Sequence, residues 1–388
     1  MGTDGTRHIG TVRPRRSRNE NPAGPSGPRP SGVRGWRRLA GVAAVAALLV
    51  GPLAACSESG PGSSSGGSDD KLGKTESFKL GVSLALNNTD FWTSYISYEK
   101  KYAKKYHANL IGPLVNNNDS GKQISDIRTL ISQGADALIV NPVDSAAIKP
   151  ALDYAKSKGV PVVSVDVAPT AGETYLIVRA DNELYGRESC DYIGQHAKSG
   201  TVAELQGDLS SLNGRDRSTA FEKCMAKKYP KLKVAKYPTK WDASKATTAA
   251  ATAMSSHKDL VGIYTQWSGP VPGIIQAEKS AGKYKPVGEP GHIIMVSNDG
   301  VPFEMADIRK GVLDATVSQP ATLYAKYAVS YSRDALMGKK YAKGQPAASG
   351  AGPLVTIGSN LEDPIKAPLV TKENVDDPSL WGNQAVKK

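Results

Sequence analysis

Short apolar segments alternate with amphipathic segments along most of this chain, and this alternation constrains its fold more than any other feature. Residues 78–84 predict a strand, and residues 137–140 form a wholly apolar segment of the kind found in parallel sheets covered on both faces. Between them, residues 120–133 carry apolar side chains at helical spacing and end at Gly134. The same pattern predicts helices over 93–106 and 146–158 and strands at 109–111 and 160–165. Such alternation is typical of a doubly wound α/β layer.

The alternation starts again after Asp181-Asn182. Helices are predicted over 184–197, 217–229, 243–256, 273–280, 303–310 and 323–336, and strands over 201–205, 261–264, 293–296 and 315–317 and near Val234. Two stretches of similar plan predict two doubly wound parallel-sheet α/β lobes rather than one large sheet. Ligands of such sheets bind at the carboxyl ends of the strands, so two facing lobes would share one cleft.

Polar and aromatic side chains follow most of the predicted strands. They are Asn87, Asn88, Asp90, Phe91, Trp92, Asn141, Asp144 and Asp166 in the first half, and Asn213, Arg215, Asp216, Arg217, Trp241, Asp242, Gln266, Trp267, Asn298, Asp299 and Gln319 in the second. Amides, carboxylates and guanidinium groups pair with hydroxyls, and flat aromatic rings pack on the C–H faces of a sugar. Asn and Asp are also common turn residues. Their recurrence at strand ends in both halves nevertheless favours a sugar-binding cleft.

The N-terminal segment predicts export. A basic stretch, 34–38, precedes an apolar run, 39–49, and small residues then lead to Cys56, an order typical of a signal peptide. The apolar run is shorter than the ~20 residues of a spanning helix. Residues 53–56 resemble the bacterial lipobox, which implies lipidation of Cys56 and anchoring at the outer face of the cell membrane. We therefore expect a leader and lipoprotein signal peptide at 1–56, and a flexible Ser/Gly linker at 57–77. The first thirty or so residues lack apolar periodicity, which is compatible with a translation start nearer Val33.

Charge and cysteine content narrow the function classes. The formal net charge is +12, but residues 1–56 hold nine arginines and only two acidic residues, so the rest of the chain carries +5. The high isoelectric point is therefore poor evidence for nucleic-acid binding. Besides Cys56 there are two cysteines, Cys190 and Cys224, which in an exported protein form either a disulfide or two buried thiols. With five histidines and no close His/Cys/Asp cluster, we expect no metal site.

Several stretches carry a resemblance to a known family. The chain from about Phe78 to Val375 resembles the type I periplasmic binding proteins of ABC sugar importers, in the ribose-binding protein group. The matching stretches are 87–92, 137–144, 159–166, 180–182, 205–207, 215–217, 298–300 and 315–319. No single stretch is specific, but their order and spacing are.

The resemblance implies two lobes joined by three crossings around a ligand. The N-terminal lobe would comprise 78–181 and 320–348, the C-terminal lobe 182–319 and 349–375, and a tail 376–388. Hydrogen bonds to sugar hydroxyls would come from Asn141, Asp166, Arg217, Asp299 and Gln319, and the pocket would also hold Asn88, Phe91, Trp92, Trp241 and Trp267. The implied protein is a monomer without catalytic residues or cofactor. It would hand a monosaccharide or polyol to a membrane ABC permease.

Three positions depart from the ribose-binding pattern. Trp267 stands where a polar residue is usual, Val167 replaces an arginine after Asp166, and Asn298 replaces an aromatic residue before Asp299. The extra flat surface favours a pyranose, a deoxysugar or a cyclitol over ribose.

Other function classes share this architecture. A sugar-responsive repressor of the lac-repressor type would need an N-terminal helix-turn-helix, which residues 1–56 do not predict. A dinucleotide-dependent enzyme would need G-x-G-x-x-G after the first strand, where residues 84–88 have Leu-Ala-Leu-Asn-Asn. A glycoside hydrolase could draw paired carboxylates from Asp90, Asp166 and Asp299, whose separations the sequence does not give. A binding protein that signals to a membrane receptor without transport stays open as an alternative.

Overall fold

The computed structural model describes residues 76–384. The first part of the chain forms β1 (Phe78–Leu84), α1 (Asp90–Lys105), β2 (Ala108–Val115), α2 (Ser120–Ser132), β3 (Ala137–Val140), α3 (Lys149–Ser157), β4 (Val162–Val165) and β5 (Leu176–Ala180). The second part forms α4 (Asn182–His196), β6 (Gly200–Gln206), α5 (Leu212–Lys228), β7 (Leu232–Pro238), α6 (Ala243–Ser256), β8 (Leu260–Thr265), α7 (Val271–Ser280), β9 (Ile294–Asp299), α8 (Pro302–Arg309) and β10 (Ala315–Ser318). The chain ends with α9 (Ala321–Leu336), β11 (Val355–Ile357), β12 (Asn360–Ile365), β13 (Leu369–Val370) and α10 (Trp381–Gln384).

Two sheets define two lobes, as the alternation predicted. The first sheet has the order β11-β12-β5-β4-β3-β1-β2, and the second has the order β13-β10-β9-β8-β6-β7. All strand pairs are parallel except β11 with β12 and β10 with β13, which are antiparallel. The helices interleave with the strands, so each lobe is an α/β layer structure.

The chain crosses between the sheets three times within the described residues. The crossings follow β5 at Ala180, β10 at Ser318 and β12 at Ile365. The sheets correct the predicted assignment of 349–375 to the C-terminal lobe, because β11 and β12 belong to the first sheet and only β13 to the second. The resemblance implied that assignment, and the alternation pattern could not correct it, because β12 pairs in parallel with β5 from a distant part of the chain and contains Pro364.

Local sequence explains the principal helix boundaries. Thr89 caps α1 by accepting a hydrogen bond from the Trp92 amide, and Asp181 and Asp242 cap α4 and α6 in the same way. Gly134 follows α2 with a φ of +84°, a left-handed conformation that favours glycine.

Each lobe has its own apolar core. In the first lobe, β1, β3 and β4 pack against α1 and α9, with Leu80, Ile139 and Tyr324 fully buried. In the second, Ile263 and Met295 lie among the small residues of α6. No helix among residues 76–384 is both long and apolar enough to span a bilayer. The predicted signal peptide, Cys56 and nearly all of the linker lie outside the described residues.

Candidate functional site

A cavity lies between the lobes at the carboxyl ends of the strands. The volume of this cavity, taken as the space that the centre of a water-sized sphere can reach, is about 70 Å³. Because one water needs ~10–15 Å³ of such space, the cavity suits several ordered waters or one small molecule. Its walls are Ala85, Leu86, Thr89, Phe91, Trp92, Asn118, Asn141, Pro142, Val143, Asp166, Val167, Ser211, Asn213, Arg217, Trp241, Trp267, Asp299 and Gln319.

The structure brings together nine of the ten residues predicted from the sequence: Phe91, Trp92, Asn141, Asp166, Arg217, Trp241, Trp267, Asp299 and Gln319. Asn88 is the exception, because it is exposed and does not line the cavity. The N-cap at Thr89 fixes where α1 begins, and the helix then turns Phe91 and Trp92 inward while Asn88 stays in the loop before it.

Asp166 is the polar centre of the first-lobe wall. It follows β4 with a φ of +65° and is 6% exposed. Its Oδ1 accepts hydrogen bonds from Asn213 (3.1 Å) and Gln319 (2.9 Å), and its Oδ2 accepts one from Asn141 (3.2 Å). Burial raises the pKa of Asp166, although the nearby arginines act in the opposite direction. Three amide donors thus hold the carboxylate in place across the cleft.

Arg217 bonds to the protein with each of its guanidinium nitrogens. Nε donates to Asn182 Oδ1 (2.7 Å), Nη2 donates to Gln319 Oε1 (2.8 Å), and Nη1 donates to the carbonyl oxygen of Gln266. The guanidinium carbon lies 4.6 Å from the centre of the Tyr185 ring, within cation–π range. Asn182 and Gln319 follow the first two crossings, so Arg217 ties both crossings to the cleft.

Asp299 is the carboxylate of the second-lobe wall. Its Oδ2 accepts hydrogen bonds from the backbone amide (3.0 Å) and the hydroxyl (2.7 Å) of Ser268. No hydrogen bond from the described residues reaches Oδ1. Burial raises the pKa of Asp299 to about 6, although Arg217 and Ser268 act in the opposite direction. Asp299 is therefore a carboxylate with one oxygen free for a ligand hydroxyl.

Aromatic rings flank these polar groups. Trp241 and Trp267 meet edge to face with ring centres 5.3 Å apart, and Phe91 and Trp92 do so at 5.1 Å. One pair belongs to each lobe. A neutral ring with polar edges and apolar faces fits between such walls.

Asn213 lines the cavity, although the sequence pattern places it only among the polar residues that follow strands and not among the expected pocket residues. Asn213 lies in the first turn of α5, four residues before Arg217, and that spacing places both on one helix face. Asn213 Oδ1 accepts from Arg179 Nε (3.1 Å), while its amide nitrogen donates to Asp166. The sequence pattern predicts this helix only from residue 217, whereas α5 begins at Leu212, so the spacing of four residues between Asn213 and Arg217 could not be recognised as one helix face.

The two remaining cysteines lie away from the cleft. Cys190 on α4 and Cys224 on α5 form a disulfide. Their sulfur atoms and the Asp191 carboxylate are close enough to one another for a metal ion. Because the sulfurs are bonded to each other and Asp191 pairs with Lys228 and Tyr229, these atoms are already engaged.

Comparisons with known proteins agree with this architecture. Residues 80–340 match the family described as a periplasmic binding protein domain. The ribose import binding protein of Bacillus subtilis is 32% identical over 273 residues, which cover 70% of this chain and 86% of the relative. The xylitol-binding protein of Mycolicibacterium smegmatis is 27% identical over 331 residues, which cover 84% of this chain and 86% of the relative.

A solved structure, the fructose-binding periplasmic domain of a hybrid two-component system, superposes with a TM-score of 0.67. The superposition covers 79% of this chain and 95% of that domain at 22% identity, which supports the fold. Two α/β lobes, a cleft at the strand ends and a family match over most of the described chain lead to one conclusion. This chain belongs to the type I periplasmic binding proteins, in the ribose-binding group, and is a solute-binding protein rather than an enzyme.

Proposed function

We propose that this protein captures a neutral sugar or polyol between its lobes and delivers it to an ABC importer. The observation that carries the proposal is that each lobe contributes both hydrogen-bonding groups and aromatic rings to the cavity wall. Asp166 and Asp299 face the cavity from opposite lobes, and a pair of aromatic rings lies on each side. Carboxylate oxygens accept from hydroxyls, while the rings pack against C–H faces.

The cavity favours a ring with an apolar face over a small linear polyol. Trp267 is 5% exposed and lines the cavity together with Trp241 and Val167. Asn298 lies behind the wall, where its amide donates to Tyr264 and to the carbonyl of Gln266. The ligand candidates are therefore a pyranose, a deoxysugar or a cyclitol.

A thermal-shift screen tests the ligand class. The panel would contain D-ribose, xylitol, myo-inositol, L-fucose and D-glucose, with amino acids as a separate chemical class. A ligand that binds only the folded state raises the melting temperature, so we expect a shift with at least one sugar or polyol. A shift with amino acids alone would contradict the proposal.

Two variants locate the binding site of any sugar found in the screen. Asp166→Asn keeps the shape but removes the carboxylate, and we expect the Kd to rise at least ~10-fold, or ~1.4 kcal/mol. Asn88→Ala alters an exposed neighbour that does not line the cavity, and its Kd should match the wild type.

We also propose that the protein is exported and held at the outer face of the membrane by lipid on Cys56. Support comes from the order of basic stretch, apolar run, cysteine and Ser/Gly segment in the sequence. Cys56→Ala should release the protein from the membrane fraction or leave its signal peptide uncleaved. A Cys56→Ala protein that stays in the membrane at wild-type size would contradict the anchor.

A deletion strain separates transport from signalling. Loss of sugar uptake in that strain would support import, whereas unchanged uptake with altered gene expression would favour signalling.

A further inference from the structure

The C-terminal segment returns to the ligand cleft from a distant part of the sequence. Trp381 is 2% exposed, and its indole Nε1 donates to the backbone carbonyl of Asp299 at 2.9 Å. Its ring meets Phe91 edge to face with the centres 6.0 Å apart. Asp299 and Phe91 both line the cavity, from opposite lobes. One tail residue therefore contacts both walls of the site.

The contact falls where the backbone needs support. Asp299 has a φ of +110°, which a residue with a side chain rarely adopts, and such a conformation persists only when its surroundings hold it. The backbone carbonyl of Asp299 accepts a second hydrogen bond, from the backbone amide of Gln319 at 2.9 Å. Gly382 lies so close that an added Cβ would come within 2.3 Å of the Gly300 carbonyl oxygen. The tail backbone thus packs directly on the turn that carries Asp299.

The tail is fastened to the second lobe before it reaches the cleft. Arg309 on α8 bonds to Asp376 (2.7 Å), to the Val375 carbonyl (3.0 Å) and to Asn383 (2.7 Å). Val375 is buried in the second-lobe core, whereas Trp381 packs in the apolar cluster of the first lobe. Trp381 is consequently held by one lobe while its ring contacts the other.

We propose that Trp381 is a positioning residue for ligand binding. Its N–H fixes the backbone of Asp299, and its ring supports Phe91, so that both walls present a fixed geometry to the sugar. This role rests on the proposed function, in which the Asp299 carboxylate and the Phe91 ring contact the ligand. The contacts themselves are independent of the ligand.

Three variants separate the parts of this role. Trp381→Phe keeps an aromatic ring and removes the N–H donor, whereas Trp381→Ala removes both. Gln384→Ala is the matched control, because Gln384 lies in the same short helix and its side chain bonds, among residues 76–384, to the carbonyls of Pro378 and Ser379. Trp381→Phe also guards against misfolding of the alanine variant.

The first measurement needs no ligand. Carboxyl ¹³C NMR follows the titration of Asp299, whose pKa burial raises to about 6. In Trp381→Phe we expect a higher pKa, because a less constrained backbone weakens the Ser268 hydrogen bonds that favour the carboxylate. Hydrogen exchange of the Gln319 backbone amide should become about 10-fold faster in Trp381→Phe. Gln384→Ala should leave both the Asp299 pKa and this exchange rate unchanged. Wild-type values for both in Trp381→Phe would overturn the proposal.

The second measurement uses L-fucose, a deoxysugar, and myo-inositol, a cyclitol, as probes in titration calorimetry and stopped-flow kinetics. For each probe that binds the wild type, we expect Trp381→Phe to raise the Kd about 5-fold, mainly through faster release. An unchanged Kd would overturn the positioning role. If neither probe binds the wild type, the proposed assignment of these two ligands fails, and the NMR and exchange measurements still decide the role of Trp381.

Discussion

At the scale of single residues, the two cleft carboxylates differ in what they can offer a ligand. Asp166 accepts hydrogen bonds from Asn141, Asn213 and Gln319. The Oδ2 of Asp299 is engaged by Ser268, while Oδ1 receives no hydrogen bond from the described residues. Asp166 thus organises the cleft, and Asp299 has more capacity left for a hydroxyl group.

The pKa of Asp299 predicts a pH dependence of binding. A hydroxyl that donates to Asp299 favours the ionised carboxylate, so the pKa in the complex lies below the value of about 6 in the free protein. Affinity should therefore be constant above that pH and fall as the pH is lowered through it. The slope approaches 10-fold per pH unit until the pKa of the complex is reached. Calorimetry from about pH 5 to pH 8 measures this profile.

Asp299→Asn is the control for this profile. The charged and titratable groups that act on Asp299 are Arg217, Asp166 and Glu304. If Asp299 is the titrating group, the asparagine variant binds more weakly but with a flat profile. A profile in Asp299→Asn that still falls near pH 6 would assign the titration to one of the other groups.

The strand-end pattern predicted cleft residues well where local structure sets their position. Asn141 and Asp166 come directly after short buried strands, and both line the cavity. The position of Asn88 depended on where α1 begins, and the placement of Trp381 depends on packing across more than 80 residues of chain. Neither can be obtained from hydrophobic periodicity. Arg217 lies in the cavity wall as predicted, but its bonds to Asn182, Gln266 and Gln319 give it a structural role there.

At the scale of structural elements, one glycine allows the aromatic wall of the second lobe to form. Gly207 follows β6, and the Trp241 ring lies directly on it, so an added Cβ would come within 2.2 Å of that ring. Trp241 has a φ of +60° and meets Trp267 edge to face. The wall therefore requires the absence of a side chain at position 207.

Gly207→Ala should displace Trp241 and weaken ligand binding. We expect the Kd of a bound sugar to rise about 5- to 10-fold, or ~1–1.4 kcal/mol, with a smaller change in melting temperature because Trp241 is only partly buried. Quenching of tryptophan fluorescence on ligand binding should also change. Gly352→Ala is the matched control, because no atom of the described part of the chain lies within 4 Å of its added Cβ. Equal affinities for the two variants would contradict the role of Gly207.

A disulfide joins the helices α4 and α5, which approach closely. An added Cβ at Gly186 would come within 2.3 Å of the Arg217 carbonyl, so this packing also positions the α5 backbone that carries Arg217. In the Cys56→Ala protein, unfolded without reductant, we expect no reactive thiol. Replacing both bridged cysteines by serine should cost ~2–4 kcal/mol in the free energy of unfolding. Two reactive thiols in the unreduced protein would contradict the bridge.

Element boundaries followed the sequence closely where periodicity was strong. The helix predicted over 243–256 and the strands predicted over 78–84 and 137–140 have the same bounds in the structure. β5 was missed because Leu176–Ala180 is a short strand after a loop, with no helix between it and β4. β12 was missed because its partner, β5, is distant in sequence.

At the scale of the whole molecule, direct contacts join the two lobes beside the ligand cavity. Arg179 on β5 pairs with Asp216 on α5 and donates to Asn213 on the same helix at 3.1 Å. Ser145 in the first lobe accepts from the Leu212 amide at 2.8 Å. Side-chain exposure is 5% for Arg179 and 20% for Asp216, so the ion pair is largely shielded from water. These contacts join the two lobes around the cavity, in an arrangement that we call closed.

Asp216→Asn should shift the equilibrium between the lobes towards opening. Hydrogen bonds to charged groups contribute ~1.5–3 kcal/mol, so we expect the Kd of a bound sugar to rise about 10-fold, with faster release. Small-angle scattering should give a larger radius of gyration for the unliganded variant than for the wild type. The free energy of unfolding should change by less than the free energy of binding. Glu362 lies 3.6 Å from Arg179 and remains as its partner within the first lobe.

Asp153→Asn is the matched control, because it removes the same charge from an ion pair with Lys149 that lies within one helix of the first lobe. The side chains of Lys149 and Asp153 are both 53% exposed, and an exposed ion pair contributes little to stability. The control should therefore keep wild-type affinity and scattering. If Asp216→Asn also keeps the wild-type radius of gyration and release rate, the Arg179–Asp216 pair does not stabilise closure. Closure would then depend on the ligand itself and on the Asp166 network that spans the cleft.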